Sequence, residues 1–157
     1  MSYAKEGKKI ILENRSAYHE YFVEDKVECG IELRGTEVKS LRAGKVNLKE
    51  AYAVIENNEC FICSMHISPY DKGNIFNVDP LRKRRLLLHK TEIRKLFQLV
   101  KQQGYTLVPI EIYFVKGRAK LLLGVCKGKK LYDKREQAAE RDAKREIDRR
   151  MKERNDG

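Results

Sequence analysis

Residues 105–125 read YTLVPIEIYFVKGRAKLLLGV, two apolar runs on either side of a short polar turn. Tyr105–Val115 and Lys120–Val125 are rich in the β-branched, aromatic and leucine side chains that favour extended strands. The Lys116–Arg118 segment between them contains the glycine that suits a tight turn. The segment therefore predicts two strands joined by this turn.

Further strand-like segments precede this one. Tyr21–Leu33 mixes apolar and charged residues, and Gly30 within it predicts a bulge or a sharp coil of the strand. Glu50–Glu56 and Glu59–Ile67 predict a hairpin, because the Asn57-Asn58 pair between them tolerates the left-handed backbone of a tight turn. The first half of the chain is therefore also predicted to be largely β.

Short helices are predicted between the strands. Thr36 is a candidate cap for a helix over Glu37–Ala43, with Gly44 as its terminator. Thr91 is a candidate cap for a second helix, which would end at Gly104. The predicted fold class is mainly β with short flanking helices, an oligonucleotide-binding (OB)-type β-barrel. A β-sandwich would produce a similar pattern and is the alternative.

The charge of the chain indicates a polyanionic partner. Its 157 residues carry 34 Lys and Arg against 23 Asp and Glu, a net charge of +11 and a pI near 9.5. Such a balance favours nucleic acid as the partner. No run of 18 apolar residues is present, and residues 1–5 do not resemble a signal peptide. These observations argue against membrane and secreted classes and predict a cytoplasmic protein.

The charge is divided between two predicted parts. Residues 1–126 hold 22 basic and 15 acidic side chains, whereas residues 127–157 hold 12 basic and 8 acidic ones among few apolar residues. We therefore predict a globular body over 1–126 and a basic C-terminal tail over 127–157 that is disordered or helical. Four apolar residues recur at helical spacing in this tail, which favours a helix that forms fully against a partner; a solvated charged helix or simple disorder is the alternative. These residues are Ala139, Ala143, Ile147 and Met151.

Catalytic and metal-binding patterns are weak. Cys60 and Cys63 have the spacing of a zinc or redox pair, but in a strand an offset of three places them on opposite faces, so buried thiols are the favoured interpretation. His19, His66 and His89 are far apart; a two-histidine ribonuclease is the enzymatic alternative. The chain contains no Walker A motif, dinucleotide fingerprint or nucleophile elbow. We predict a non-enzymatic protein without metal or cofactor.

Basic clusters at predicted loops and element ends are more informative. Side chains at one rim of a barrel can together follow a phosphate backbone. Solvated surface charge is the alternative for any one cluster. Folded RNA is favoured over duplex DNA because no recognition-helix or zinc-finger pattern is present. The predicted RNA-binding surface includes Lys39, Arg42 and Arg84. The four clusters are Lys39/Arg42/Lys45, Arg82–Arg85, Lys116/Arg118/Lys120 and Lys127/Lys129/Lys130.

Three longer motifs resemble one known family. They are EVKSLRAGK at 37–45, DPLRKRRLLLH at 79–89 and GVCKGKKLYDKR at 124–135. The segments around Asn14, at 19–21 and at 104–105 fit as well. In this order and at this length, the motifs resemble bacterial small protein B, a family of tmRNA-binding proteins, over nearly the whole chain.

The resemblance implies a role in trans-translation, which rescues ribosomes stalled on messages without a stop codon. A member is not an enzyme. It binds the tRNA-like domain of tmRNA, takes the place of the missing anticodon arm and delivers the RNA to the ribosomal A site, with elongation factor Tu bound to alanyl-tmRNA. No membrane or small-molecule substrate is implied. A general RNA-binding OB-fold protein of the ribosome or its assembly is the alternative.

The resemblance also implies the residues of two interfaces. For Glu28, an acid on a proposed RNA surface, the possible roles are ordering a nearby Arg, accepting from base or ribose donors, and supporting the fold. The tail would contact the decoding centre of 16S rRNA and the empty downstream mRNA channel, and we hypothesise that Tyr132 stacks on an rRNA base. The implied tmRNA-binding residues are Asn14, Glu28, Leu87, His89 and Lys120. The implied ribosome-binding residues are Lys129, Lys130, Tyr132, Asp133, Lys134, Arg135, Ile147 and Met151.

Overall fold

The structure, a computed structural model, describes residues 7–70 and 78–129 of the chain. Residues 130–157 of the predicted tail and residues 71–77 lie outside this part. The elements in chain order are β1 (Lys8–Glu13), α1 (Arg15–Glu20), β2 (Tyr21–Ile31), α2 (Gly35–Arg42), β3 (Val46–Asn47), β4 (Tyr52–Glu56), β5 (Glu59–Cys63), β6 (His66–Ile67), β7 (Arg84–Leu87), α3 (Lys90–Gln103), β8 (Thr106–Val115) and β9 (Arg118–Gly128).

The strands form a closed ring. The large sheet has the order β1-β8-β4-β5-β7-β2-β9, and β9 also pairs with β8. Six strands therefore close a barrel, while β1 adds to it as an extra strand on β8. All these pairings are antiparallel. This confirms the OB-type barrel and excludes the β-sandwich alternative.

The two predicted tight turns are present. Lys116 and Gly117 between β8 and β9 have φ values of +50° and +79°, and Asn57 and Asn58 between β4 and β5 have φ values of +51° and +62°. Two consecutive residues with positive φ give the turn whose twist matches that of the flanking strands. Local sequence is therefore sufficient to position both hairpins.

The predicted bulge at Gly30 is wrong. The irregularity of β2 lies between Val23 and Asp25, whereas Gly30 is paired regularly with Lys120 on one side and Leu87 on the other. A Cβ atom at Gly30 would lie 3.2 Å from the Cβ atom of Leu87. Gly30 thus serves close packing against a neighbouring strand.

Both longer helices begin earlier than predicted. The N-cap residues are Arg34 and His89, not Thr36 and Thr91. In each helix a glutamate at the third position accepts a hydrogen bond from the cap residue's amide, at 2.9 Å in α2 and 3.0 Å in α3. This carboxylate satisfies an amide that would otherwise lack a partner, which is how a residue without a good capping side chain can occupy the position. The glycine terminators are as predicted, with Gly44 and Gly104 at positive φ.

The core has two parts on opposite sides of the β8–β9 hairpin. The barrel interior holds fully buried aliphatic side chains such as Ile112 and Leu121. A smaller cluster outside the barrel includes Tyr113 and Leu122 and is covered by Ala17 of α1, a helix that the sequence did not predict. Both faces of this hairpin are therefore buried over much of their length, which explains its continuous apolar sequence.

The body continues past residue 126. Strand β9 extends to Gly128, which pairs with Tyr21 of β2, so the boundary predicted after Cys126 falls inside a paired strand. Within the described residues, no helix is long and apolar enough to cross a membrane.

Candidate nucleic-acid interface

One row of residues crosses four strands on the outside of the barrel. Tyr113 of β8 is opposite Lys120 of β9, Lys120 is opposite Gly30 of β2, and Gly30 is opposite Leu87 of β7. Directly opposed residues of antiparallel strands project from the same face. Leu87 is 45 % exposed, although it is a large apolar side chain. We call Tyr113, Lys120, Gly30 and Leu87 the outer row.

Glu28 lies beside the outer row, two residues before Gly30 on the same strand. Its Oε2 accepts a hydrogen bond of 2.6 Å from the hydroxyl group of Tyr113. Burial, followed by this hydrogen bond to a carboxylate, raises the pKa of Tyr113, so the phenol remains a donor. Three roles were considered for Glu28, and this hydrogen bond is a contact of the kind that support of the fold requires. Glu28 remains partly exposed next to the row.

The outer row brings together predicted residues that are far apart in sequence. Glu28, Leu87 and Lys120 lie on three neighbouring strands, and the exposed His89, the cap of α3, follows Leu87 by two residues. Three of the eight predicted tmRNA-binding residues therefore lie together on the outside of the barrel, and His89 is close to Leu87 in sequence. Sequence reasoning did not include Tyr113, and only the strand register identifies it.

Two other predicted residues lie on α2. Arg42 is exposed, and its Cζ atom is 4.9 Å from the centre of the Phe114 ring. Lys39, also exposed, has its Nζ atom 5.4 Å from the centre of the Tyr70 ring. Arg42 lines an open cleft of about 370 Å³ at one end of the barrel, together with Lys9 of β1 and Lys116 of the β8–β9 turn. We call this the Arg42 cleft.

Arg84 is a correction to the prediction. Its side chain is 0 % exposed, and Nε donates to Oε2 of Glu37 at 2.7 Å. Its other guanidinium nitrogens donate to the carbonyl oxygens of Met65 and Pro80. A guanidinium whose donors are all directed into the protein cannot contact RNA from this position, so the predicted RNA contact at Arg84 is wrong. The residue joins α2 to β7.

The rest of the Arg82–Arg85 run is also paired with carboxylates. Arg82 binds Glu37 at 2.8 Å, Lys83 binds Glu56 at 2.7 Å and Arg85 binds Glu59 at 2.9 Å. Burial alone would raise the pKa of Glu37, but hydrogen bonds from two guanidinium groups and a backbone amide hold it below its ordinary value. The strongest basic motif of the sequence is thus largely neutralised within the protein.

Asn14 is a second correction. The residue is 6 % exposed, and its Nδ2 donates to the carbonyl oxygens of Pro109 at 2.8 Å and Leu48 at 3.4 Å. Its Oδ1 accepts from the hydroxyl group of Ser16. The buried amide therefore ties the start of α1 to the barrel, and the structure contradicts a direct RNA contact by this side chain.

The predicted tail is described only at its first residues. Lys129 donates from Nζ to the carbonyl oxygen of Tyr18 at 2.8 Å, and the same atom is 5.1 Å from the centre of the Phe22 ring. Lys129 is therefore held against α1 and the start of β2. The other predicted ribosome-binding residues lie outside the described residues: Lys130, Tyr132, Asp133, Lys134, Arg135, Ile147 and Met151.

The cysteine pair has the predicted geometry. Cys60 is fully buried in the barrel, whereas Cys63 is partly exposed, which confirms that they lie on opposite faces of β5. Burial raises the pKa of the Cys60 thiol to about 12. In ranges 7–70 and 78–129, no group of three or more His, Cys, Asp or Glu residues is placed to hold a metal ion.

Comparison with known proteins gives a consistent result. Residues 11–153 match the family model described as SmpB protein. The SsrA-binding protein of Acetivibrio thermocellus is 62 % identical over 150 residues, which cover 96 % of this chain and 97 % of that protein. The SsrA-binding protein of Clostridium perfringens is 59 % identical over 151 residues, with the same coverage of both chains.

A solved structure is similar as well. It is described as "tmRNA-SmpB: a journey to the center of the bacterial ribosome", and its matching chain has 53 % sequence identity to this one. The TM-score is 0.67, and the match covers 82 % of this chain and 92 % of that chain. Sequence and fold therefore agree on the same relatives.

Proposed function

The chain belongs to the SmpB family, and from this premise we propose that it binds tmRNA, the SsrA RNA, in trans-translation. Its partners are then tmRNA and the ribosome, as in the similar structure. This is a binding function, which the barrel performs by presenting side chains to RNA.

The observation that carries the proposal is the outer row. Lys120 can bind a phosphate, and the exposed Leu87 offers an apolar contact to a base or ribose. The carboxylate of Glu28, held by Tyr113, can accept a hydrogen bond from a base amino group or a 2′-hydroxyl. A mixed surface of this kind suits folded RNA, in which loop bases and 2′-hydroxyls are accessible. We assign it to the tRNA-like domain of tmRNA, in the place of the missing anticodon arm.

The tail is assigned a second contact. Residues 127–157 carry 12 basic and 8 acidic side chains, a composition that suits ordering on ribosomal RNA. We propose that this segment contacts the decoding centre and the downstream mRNA channel while the body delivers tmRNA to the A site. Elongation factor Tu remains a predicted partner. These partners imply action in the cytoplasm.

A binding comparison tests the proposal. Full-length tmRNA, an ordinary tRNA and an unrelated RNA duplex would be titrated with the protein at one salt concentration, because affinity for RNA depends strongly on salt. We expect clear preference for tmRNA. Equal affinity for all three RNAs would contradict the proposed function and leave only a general RNA-binding protein.

A matched pair of variants connects this preference to the outer row. Leu87→Ala removes an apolar side chain from the row, whereas Leu81→Ala removes one of similar exposure, 53 % against 45 %, outside it. Leu87→Ala should weaken tmRNA binding about tenfold, because it removes methyl and methylene groups that the bound RNA would bury. The same loss in both variants would argue against the row as the interface.

The proposed role requires no chemical step on the RNA. End-labelled tmRNA incubated with the protein should therefore remain intact over hours. Cleavage that survives repeated purification, and that is lost on substitution of His89, would instead support the nuclease alternative.

A further inference from the structure

We propose that the Arg42 cleft binds a single unpaired nucleotide of the bound tmRNA, with its base stacked on the Arg42 guanidinium and its phosphate held by Lys9 and Lys116. This inference rests on the proposed function, since it assigns one part of the same RNA to a second site. The cleft lies at the barrel end, between the start of β1, the end of α2 and the β8–β9 turn.

The charge of the cleft favours an anion. Lys9, Arg42 and Lys116 come from three separate segments, and no acidic residue is among those lining the cleft. Among the residues that the structure describes, no carboxylate forms an ion pair with any of these three. Three cations that share one opening attract a polyanion together.

The shape and apolar surface of the cleft favour a nucleotide over a phosphate alone. The apolar side chains of Ile11 and Phe114 are among those that line it. A volume of about 370 Å³ lies within the range of small-molecule sites, roughly 300–1,000 Å³. A bare phosphate would fill little of this space and would make no apolar contact with the lining. A nucleotide supplies both an anion and a flat, largely apolar ring.

Arg42 is positioned to stack. Its Cζ atom lies over the Phe114 ring, 4.9 Å from the ring centre. Arg42 also lines the cleft, and a base can lie on a guanidinium plane as it does on an aromatic ring. Because Phe114 already holds the side chain, less rotamer freedom is lost when a base binds.

The cleft and the outer row can be occupied by one RNA. Lys116 is three residues from Tyr113 of the outer row, a distance of about 10 Å along a strand. Phe114 belongs to the interior cluster and Tyr113 to the outer one, so the two sites lie on opposite faces of β8 near the same end. An RNA bound at the row therefore has to pass the β8–β9 turn to place a nucleotide in the cleft.

The test compares four proteins on full-length tmRNA: wild type, Arg42→Lys, the double variant Lys9→Gln/Lys116→Gln, and Lys101→Gln as a charge control on the exposed face of α3. Affinity would be measured over a series of salt concentrations. Chemical probing of nucleotide flexibility would be carried out on each complex. Thermal unfolding of each protein shows whether it remains folded.

Arg42→Lys keeps the charge but removes the plane, so it isolates stacking from electrostatics. We expect it to weaken tmRNA binding about tenfold, as for the loss of one stacked base. We also expect it to restore the reactivity of one unpaired nucleotide that wild type protects. The double variant should reduce the salt slope by about two, one for each lost phosphate contact, while Lys101→Gln leaves it unchanged.

Two results would overturn the inference. One is an Arg42→Lys complex with wild-type affinity and wild-type protection. The other is weaker binding without a change at any single nucleotide, which would mean that the cleft acts on the RNA only as diffuse charge. Failure of the proposed function is a separate result, because wild type would then show no preference for tmRNA before any variant is compared.

Discussion

Arg82–Arg85 is the densest cluster of positive charge in the body of the chain, yet each of its four side chains is paired with a carboxylate. Lys9, Arg42 and Lys116 come from three distant segments, and they line one cleft that has no acidic side chain among its described lining residues. The first group mainly supports the fold, with Arg84 fully buried at its centre. The second remains accessible to an external anion.

The difference shows that a count of basic residues does not measure the charge available to RNA. Alternation along β7 directs Arg84 into the protein, where Glu37 compensates for its desolvation. The cleft, in contrast, is assembled by tertiary contacts between residues that are unremarkable in the sequence. Accessible charge is thus a property of the packing.

The largest effect on stability is expected from breaking the buried ion pair between Arg84 and Glu37. Glu37→Gln leaves the fully buried Arg84 without a compensating charge, which should reduce the free energy of unfolding by about 3–5 kcal/mol. Urea unfolding followed by circular dichroism would measure the change. The control Glu56→Gln removes the exposed partner of Lys83 and should cost at most about 1 kcal/mol. Similar losses in the two variants would contradict the proposed contrast.

The same pair predicts a dependence on pH. The folded pKa of Glu37 lies below its ordinary value of 4.5, so its stabilising contribution is complete above that value and is lost as pH falls through the folded pKa. The difference in stability between wild type and Glu37→Gln should therefore be largest near neutral pH and should shrink on acidification. Urea midpoints of both proteins at a series of pH values test this; a constant difference down to pH 3 would exclude the carboxylate as the cause.

A smaller effect is expected at Asn14, where the contrast between support and RNA contact can be measured directly. Asn14→Ala leaves the buried carbonyl of Pro109 without its donor and should cost about 1–3 kcal/mol in stability. The folded variant should keep its affinity for tmRNA, measured well below its melting temperature. Asn47→Ala, an exposed asparagine, serves as the control. A stable Asn14→Ala protein that fails to bind tmRNA would restore the predicted direct contact.

The smallest effect is expected from the paired cations on RNA binding. Lys83→Gln/Arg85→Gln should leave the dependence of tmRNA affinity on salt nearly unchanged, because both side chains already neutralise carboxylates. Lys120→Gln in the outer row should reduce the salt slope by about one. Fluorescence anisotropy at several salt concentrations distinguishes them. A larger change for the Lys83/Arg85 pair would show that RNA displaces their internal partners.

Much of the fold followed from local sequence. The two hairpins depend on positive φ at Lys116-Gly117 and Asn57-Asn58, and the ends of α2 and α3 depend on glycines at positive φ. These features were predictable because each requires only neighbouring residues and their intrinsic backbone preferences. The caps at Arg34 and His89 were missed because neither residue has a preferred capping side chain; in each case a glutamate three residues later accepts from the cap residue's own amide.

The family motifs in the sequence identified the partner class, and the residue pattern alone determined a β-rich, basic body. Only the tertiary structure decided which charges remain available. The strand register placed Lys120, Gly30 and Leu87 in one row. Arg84 and Asn14 are buried in the folded protein. Tertiary packing placed Lys9 and Arg42 in the lining of the same cleft. The physical reason is that strand preference and turn formation are local, whereas desolvation and ion pairing depend on which distant segments meet.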